Sequence, residues 1–221
     1  MKKNKKFTPD TAAIIEKLKE LYPDALCSLE YGGDPWRLLV AARLSAQCTD
    51  ERVNIVTVPL FERFPTVEAV CEGDPVGTLA EIENIVRPCG LFRTKAKSIY
   101  DMSQMIVRDY SGKVPDNMED LLSLPGVGRK IANLIMGDVF GNGGIVADTH
   151  CIRICGRLGY YNPDKKDPLF TERTMETFIP REEQSDFCHR IVLFGREYCS
   201  ARSPRCSECP LSALCKTNTY A

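Results

Sequence analysis

The chain has 221 residues, of which 43% are hydrophobic and 27% are charged, and its formal net charge is −1. These values are typical of a globular protein with one large or two small domains, and they argue against extended disorder. Apolar runs are broken well before the roughly 18 residues that a membrane span needs, so no transmembrane segment is expected. The basic start leads into Thr8 and Pro9 instead of an apolar core, which does not fit a signal peptide and predicts an intracellular protein.

Prolines and glycines divide the chain into segments of about 8 to 20 residues, with helix-start residues and helical apolar spacing but no strand-like alternation. Aspartates are placed to cap three of these helices, namely Asp10, Asp34 and Asp74. The apolar stripe in residues 95–110 predicts a longer helix that stops at Gly112, and Asp116 with Glu119 forms a pair like a capping box before the next helix. The sequence therefore predicts an all-α protein.

Charge is distributed unevenly in the same part of the chain. Residues 87–113 carry six cations against two carboxylates, a net of +4, whereas residues 62–83 carry six carboxylates against one cation. Taken alone, this pattern favours two solvated helix faces over a nucleic-acid interface.

Residues 124–133 read LPGVGRKIAN and predict two short helices joined by a glycine turn. Gly126 and Gly128 would let backbone N–H groups approach a phosphate, and the N-terminus of the following helix adds partial positive charge. A nucleotide-binding P-loop would need GxxxxGK after a strand, and neither the spacing nor the context fits. A phosphate-binding helix-hairpin-helix at about 116–140 is one interpretation, and a plain helix connection is the other.

Lys130 and Asp148 are the candidates for chemistry. Lys130 falls in the first turn of the second helix, where the helix dipole destabilises an ammonium ion and favours the free amine of a nucleophile. Asp148 follows a glycine-rich break and can simply cap the next helix, but a carboxylate there can also activate water or stabilise positive charge on a sugar. An amine and a carboxylate near a phosphate-binding turn indicate attack at a nucleotide sugar carbon.

Eleven cysteines are unevenly placed. Seven are scattered through apolar segments and are interpreted as small core residues, and four crowd the tail, at Cys199, Cys206, Cys209 and Cys215. Structural zinc usually has two close cysteine pairs, whereas this tail has one pair flanked by single cysteines. This spacing favours a [4Fe–4S] cluster over zinc, and Arg202, Arg205 and Lys216 would make its loop a basic surface suited to DNA phosphates.

Several motifs occur together over nearly the full length of the chain: LSAQCTD at 44–50, GLFRTKA at 90–96, LPGVGRKIAN at 124–133, VADTH at 146–150 and the four-cysteine tail. In this order and spacing they resemble the endonuclease III family of DNA base-excision repair glycosylases. The resemblance implies the all-α helix-hairpin-helix DNA glycosylase fold, with DNA in the groove between two domains. These are a six-helix domain at 28–142 and an iron–sulfur cluster domain that joins 1–27 to 143–221, with the cluster loop at 199–215.

The resemblance also implies roles for individual residues. Lys130 would attack C1′ of the damaged nucleotide, and Asp148 would be the essential carboxylate; a Schiff base would form and β-elimination would cut the strand. The nucleotide must leave the duplex, at an unstacking cost of a few kcal/mol. The residues expected to fill the vacated stack are Gln47, Leu91 and His150. Asp50 matches a carboxylate near the pocket, although it could equally cap the next helix with Thr49.

The implied substrate is double-stranded DNA with an oxidised pyrimidine or an abasic site, cut by a monomer in the cytoplasm at the nucleoid. One alternative is a monofunctional glycosylase of the mismatch type, which Lys130 argues against. The other is a non-catalytic cluster or zinc protein that binds DNA or carries electrons, which would not need Lys130 and Asp148 together. Ile131 and Cys48 depart from some relatives, so the polarity of the pocket can differ.

Overall fold

The structure of the protein is a computed structural model that describes residues 8–217. Residues 1–7 and 218–221 lie outside the described residues. They include the basic start of the chain and both ends of the predicted cluster domain. Ten α-helices occur in the described range: α1 Thr11–Leu21, α2 Pro35–Leu44, α3 Asp50–Arg63, α4 Pro75–Val86, α5 Phe92–Tyr110, α6 Met118–Ser123, α7 Arg129–Asp138, α8 Thr149–Leu158, α9 Pro168–Glu176 and α10 Gln184–Glu197. Five short 3-10 helices also occur there, at Glu68–Val70, Arg87–Cys89, Arg181–Glu183, Cys206–Glu208 and Ser212–Leu214.

Residues 8–217 contain no strand, which confirms the predicted all-α class. Among the helices of this range, none combines the length and the apolar character that crossing a membrane requires.

The predicted aspartate caps are confirmed. The carboxylate of Asp10 accepts from the N–H of Ala13 at 3.1 Å, Asp34 accepts from the N–H groups at the start of α2, and Asp74 accepts from the start of α4. The predicted capping box before α6 is wrong by one residue. Asn117, not Asp116, caps α6, because its extended backbone directs the side-chain oxygen at the N–H of Asp120, 3.0 Å away.

The chain folds into two compact units. One unit is Cys27–Gly141 and contains six helices, α2 to α7, around a core that includes Leu38, Leu39 and Ile99. Its limits lie one residue from those predicted for the six-helix domain.

The second unit joins the chain up to Leu26 to the chain from Asn142 onward. In it, α1 packs with α8 and α10 around a core that includes Leu18, Phe187 and Phe194. The buried guanidinium of Arg190 on α10 ties α1 in place, because it donates to the carbonyl of Tyr22 at 3.3 Å just past the end of α1. The N-terminal helix therefore belongs to the same unit as the cysteine tail.

The scattered cysteines are core residues in four of seven cases. The buried ones are Cys89, Cys151, Cys155 and Cys188, and the half-buried ones are Cys27, Cys48 and Cys71. The interpretation as small core residues is confirmed for the first four.

Candidate active site and cluster site

The glycine turn between α6 and α7 is a tight hairpin in which the N–H of Val127 donates to the carbonyl of Leu124 at 3.1 Å. Gly126 has a φ of +82°, and a Cβ there would lie 2.7 Å from the Cβ of Ser98 and 2.8 Å from Nε of Arg43. Both the left-handed backbone and the packing against α2 and α5 therefore require glycine at this position.

Gly128 differs from Gly126 in both respects. Its φ is −104°, which any residue can adopt, and a Cβ there would meet no atom within 4 Å. It is the N-cap of α7 and offers no side chain to the first N–H groups of the helix. The space that a side chain at Gly128 would occupy is therefore open, which suits an anion-binding site at this helix N-terminus.

Lys130 is the second residue of α7, and its side chain is exposed. The buried side chain of Val127 anchors the turn that precedes it. The amine of Lys130 is therefore on an exposed side chain in the first turn of α7, two residues after the N-cap Gly128.

Asp148 is the N-cap of α8, and its Oδ1 accepts from the N–H of Cys151 at 2.7 Å. The N–H of Asp148 donates to the carbonyl of Val146 at 2.8 Å, so the backbone on both sides of the carboxylate is held. The predicted capping role is confirmed.

Three buried thiols pack next to this cap. Sγ of Cys151 lies 3.9 Å from Sγ of Cys155, and Cys188 on α10 accepts from the N–H of Val146 at 3.3 Å. The hydrogen bond with Cys155, followed by burial, raises the pKa of Cys151, and the hydrogen bond with Cys151, followed by burial, raises the pKa of Cys188. Protonated thiols are poor nucleophiles, so these residues pack beside the carboxylate as small core side chains.

His150 is half-buried on α8, where its Nδ1 lies 3.2 Å from Nη2 of Arg153. A Cβ at Gly195 on α10 would lie 2.4 Å from that Nδ1, so glycine is required for α10 to pass close to the imidazole. Arg153 also donates to the carbonyl of Cys199, at 3.1 Å from Nε and 3.0 Å from Nη2. The position of His150 is thus fixed by contacts from α10 and from the start of the cysteine tail.

Gln47 and Leu91 are both exposed, and both have a left-handed backbone, with φ of 56° and 47°. Within residues 8–217 the other non-glycine residue with positive φ is Ser111, which ends α5. Asp50 is the first residue of α3 and not its cap, because the hydroxyl of Thr49 accepts from the N–H of Arg52 at 3.3 Å.

Lys95 was counted among the solvated cations of residues 87–113, and this part of the interpretation is wrong. Its side chain is fully buried, with an exposed fraction of 0%. Burial is the main cause that lowers the pKa of the Lys95 ammonium, and burial likewise raises the pKa of the adjacent Cys89 thiol to about 11. One signal in the sequence indicates that Lys95 is buried. Lys95 lies on the apolar stripe of α5, four residues before the buried Ile99.

All four tail cysteines line one cavity of about 320 Å³, with apolar walls from Leu158, Phe194 and Leu211. Residues 8–217 contain no three cysteine, histidine or carboxylate side chains close enough to share a single metal ion, and the four thiols surround a cavity instead. Among the described residues its walls include no carboxylate and no imidazole, so sulfur is the ligand type on offer. Four thiolates around a space of this kind fit an iron–sulfur cluster.

Arg157 on α8 contacts the first cysteine of this cavity. Its Nη1 lies 3.3 Å from Sγ of Cys199 and 2.7 Å from the carbonyl of Ser200, and its Nη2 donates to the carbonyl of Ala201 at 2.9 Å. Neither Arg153 nor Arg157 is among the residues predicted from the sequence. Their spacing of four residues on a helix was the available signal, since it places both guanidinium groups on the same face.

Comparison with known proteins agrees with this arrangement. A model of the HhH-GPD superfamily of base excision DNA repair proteins matches residues 40–181, and a model of the iron–sulfur binding domain of endonuclease III matches residues 199–215. The class of protein is therefore a helix-hairpin-helix DNA repair protein.

The relatives are more specific. Endonuclease III of Synechocystis sp. is 46% identical over 203 residues, which cover 91% of this chain and 90% of the relative, and that of Bacillus subtilis is 42% identical over 91% and 90%. A solved structure of a trapped covalent intermediate of an endonuclease III with DNA is 39% identical, with a TM-score of 0.86 over 96% of this chain and 98% of that one. The chain belongs to the endonuclease III family. It is a base-excision DNA glycosylase with lyase activity at abasic sites, and its cofactor is a [4Fe–4S] cluster.

We expect Arg157→Met to make the reduction potential of the cluster more negative, because hydrogen bonds to cluster sulfurs stabilise the reduced state. A hydrogen bond to a charged group is worth about 1.5–3 kcal/mol, so the shift is at most about 65–130 mV for a one-electron couple. Voltammetry of the purified holoenzyme at matched iron content measures it. Arg157→Lys keeps the charge and is the control. Equal reduction potentials for wild type and Arg157→Met would contradict a hydrogen bond from Arg157 to a cluster sulfur.

Proposed function

We propose that this enzyme removes oxidised pyrimidines from double-stranded DNA and then cuts the strand at the abasic site through a Schiff base on Lys130. The observation that carries this proposal is the exposed amine of Lys130 in the first turn of α7, directly behind an open helix N-terminus. The trapped covalent DNA intermediate of the 39% identical endonuclease III supports it, since such a trap requires a nucleophile on the enzyme.

The hairpin binds the DNA backbone in this proposal. A phosphate enters the open space at Gly128 and accepts from the N–H groups at the start of α7, while the helix dipole favours its negative charge. Contacts of this kind carry no base sequence, so they suit an enzyme that must find damage anywhere in a duplex. Arg202 and Lys216, both exposed beside the cluster ligands, provide further phosphate contacts. Arg205 has a structural role as well, because it donates to the carbonyl of Glu197 at 3.0 and 2.6 Å.

Lys130 carries the covalent chemistry. Its amine lone pair forms a bond to C1′ as the bond from C1′ to the base breaks, and the departing base takes that electron pair and a proton. The C1′–O4′ bond then breaks as the nitrogen lone pair forms the C=N bond of a protonated Schiff base, and O4′ takes up a proton. The positive charge on this nitrogen acidifies the C2′ proton. Loss of the C2′ proton expels the 3′ phosphate and cuts the strand.

Asp148 supplies the carboxylate. As the N-cap of α8 it is fixed through Oδ1, and a fixed negative charge stabilises the positive charge that develops on the sugar as the base departs. A carboxylate can also accept the proton of the lysine ammonium and so produce the reactive amine.

The nucleotide must leave the stack before Lys130 can reach C1′. We assign the filling of the vacated space to Gln47, Leu91 and His150. Leu91 is 60% exposed although it is apolar, and such exposure is unfavourable unless the side chain meets a partner. We also assign Asp50, the first residue of α3, to the pocket. The enzyme works as a monomer in the cytoplasm, at the nucleoid.

Trapping tests the proposal. We expect borohydride to produce a covalent complex of the protein with a duplex that contains an oxidised pyrimidine, because the Schiff base is reducible. Lys130→Ala removes the complex, and Lys130→Arg keeps the positive charge yet also removes it. A gel shift in denaturing conditions measures the covalent product. Undamaged and adenine-mismatched duplexes are the controls; trapping on the mismatch alone would favour a mismatch glycosylase, and trapping by Lys130→Ala would remove Lys130 from its role.

Asp148→Asn separates the cap from the charge. Asparagine caps a helix as well as aspartate does, so the free energy of unfolding of Asp148→Asn should stay within about 0.5 kcal/mol of the wild-type value. The rate of base removal in single-turnover assays should fall by about 10²-fold or more, the usual contribution of a positioned acid or base. Asp148→Ala is the matched variant, expected to lose both activity and about 0.5–2 kcal/mol of stability. An active Asp148→Asn enzyme would show that the carboxylate serves only as a cap.

Gly126 and Gly128 should respond differently to alanine. Gly126→Ala combines a left-handed alanine, about 1–2 kcal/mol, with overpacking of about 1–3 kcal/mol, so its unfolding free energy should fall markedly. Gly128→Ala should change that free energy by about 1 kcal/mol or less. It should still weaken DNA binding about tenfold, because the new methyl group intrudes on the phosphate. Urea unfolding and fluorescence anisotropy measure the two effects, and full DNA affinity in folded Gly128→Ala would contradict the phosphate assignment.

A further inference from the structure

Lys95 on α5 is a cation in the interior of the unit Cys27–Gly141. Its side chain is fully buried, and its Nζ donates to the carbonyl of Leu44 at 2.8 Å and to the carbonyl of Cys89 at 2.7 Å. Burying an ammonium ion is costly, and an apolar side chain of similar length would fill the same volume without that cost. The two hydrogen bonds are therefore the feature that distinguishes lysine from an apolar residue here.

The two carbonyls belong to two separate loops. Leu44 is the last residue of α2, three positions before Gln47, and Cys89 ends the 3-10 helix two positions before Leu91. One ammonium group thus joins the loop after α2 to the loop before α5. The two loops also interact through their thiols, since Cys48 contributes, after burial, to the raised pKa of Cys89.

Both loops contain a residue in a conformation that is unfavourable for it. Gln47 and Leu91 have φ of 56° and 47°, and a left-handed backbone is rare for residues other than glycine and asparagine. Such conformations persist only where the surrounding structure fixes them. The N–H of Lys95 donates to the carbonyl of Leu91 at 3.0 Å, so Lys95 holds this residue through its backbone as well as through Nζ.

The left-handed conformation determines where the side chains go. Gln47 and Leu91 are both exposed, so the packing of their own side chains does not hold them in this conformation. Since the hydrogen bonds from Lys95 constrain the backbone of both loops, the two side chains are already oriented before DNA binds. Pre-ordering of this kind lowers the entropy that must be lost on binding.

We propose that Lys95 is a positioning residue that holds the Gln47 and Leu91 loops so that both side chains enter the space left by the extruded nucleotide. This inference rests on the roles proposed above for Gln47 and Leu91. Because Lys95 is fully buried, it acts on the two loops through its hydrogen bonds to their carbonyls and not through contact with DNA.

The test is a mutant cycle on the full-length holoenzyme with an abasic-site duplex as substrate. Lys95→Met removes both hydrogen bonds and keeps the volume, and we expect kcat/KM for strand cleavage to fall on the order of 10²-fold, as for other small displacements of a positioned group. In a Gln47→Ala, Leu91→Ala background the same change should cost less than about threefold, because effects that act through one unit are not additive. A purely structural role would lower activity by the same factor in both backgrounds.

Three further measurements make the outcome decisive. Lys95→Gln retains amide donors and is the milder variant if Lys95→Met folds poorly; it should show a smaller loss with the same dependence on background. Lys113→Met removes the same charge from an exposed lysine just past α5 and should retain wild-type activity. The fluorescence of 2-aminopurine opposite the abasic site reports how the vacated stack is filled, and Lys95→Met should match the Gln47→Ala, Leu91→Ala variant.

Wild-type kcat/KM in Lys95→Met or Lys95→Gln, or an undiminished loss in the double-variant background, would overturn the positioning role. The failure of the proposed function looks different, because the wild-type enzyme itself would then not cleave the abasic duplex.

Discussion

Short helices leave many unpaired carbonyl groups, and in this protein cationic side chains from neighbouring helices bind several of them. The last four carbonyls of any α-helix lack a partner within the helix, and buried carbonyls without a partner are costly. Lys95 binds the carbonyls of Leu44 and Cys89, and Arg190 binds that of Tyr22. Hydrogen bonds from charged donors are worth about 1.5–3 kcal/mol each, which makes these contacts among the stronger polar interactions in the fold.

These hydrogen bonds have a consequence for function, because they constrain the backbone of loops that connect short helices. The proposed stack-filling residues Gln47 and Leu91 lie next to carbonyls that Lys95 binds. In the other unit, Arg153 and Arg157 bind the carbonyls of Cys199, Ser200 and Ala201 at the start of the cysteine tail. Loops that carry function need a rigid support, and here buried and half-buried cations supply it.

How far the sequence predicts this structure depends on the range of each interaction. The caps by Asp10, Asp34 and Asp148 were predictable because the donor N–H lies three residues or fewer from the cap. The all-α class and the cluster followed from helix signals and cysteine spacings that are local in the chain. Asn117 shows the limit even at short range, since it and Asp116 are equally good caps by composition, and backbone direction decides between them.

Long-range contacts were not predictable in the same way. Lys95 was counted as solvated because a charge count does not register that its partners are carbonyls, one of which is 51 residues away. The difference between Gly126 and Gly128 likewise depends on Ser98 and Arg43, which belong to other helices. A glycine pattern indicates a turn, but it does not tell which glycine is needed for packing and which one leaves space for a ligand.

The contacts of Arg153 join helix α8 to the start of the cysteine tail. Nη1 of Arg153 donates to the carbonyl of Thr149, and Nη2 reaches both His150 and the carbonyl of Cys199. Cys199 is one of the four proposed cluster ligands, and its carbonyl is the one that Arg153 binds. Arg153 therefore connects the helix that Asp148 caps to the first cysteine of the tail.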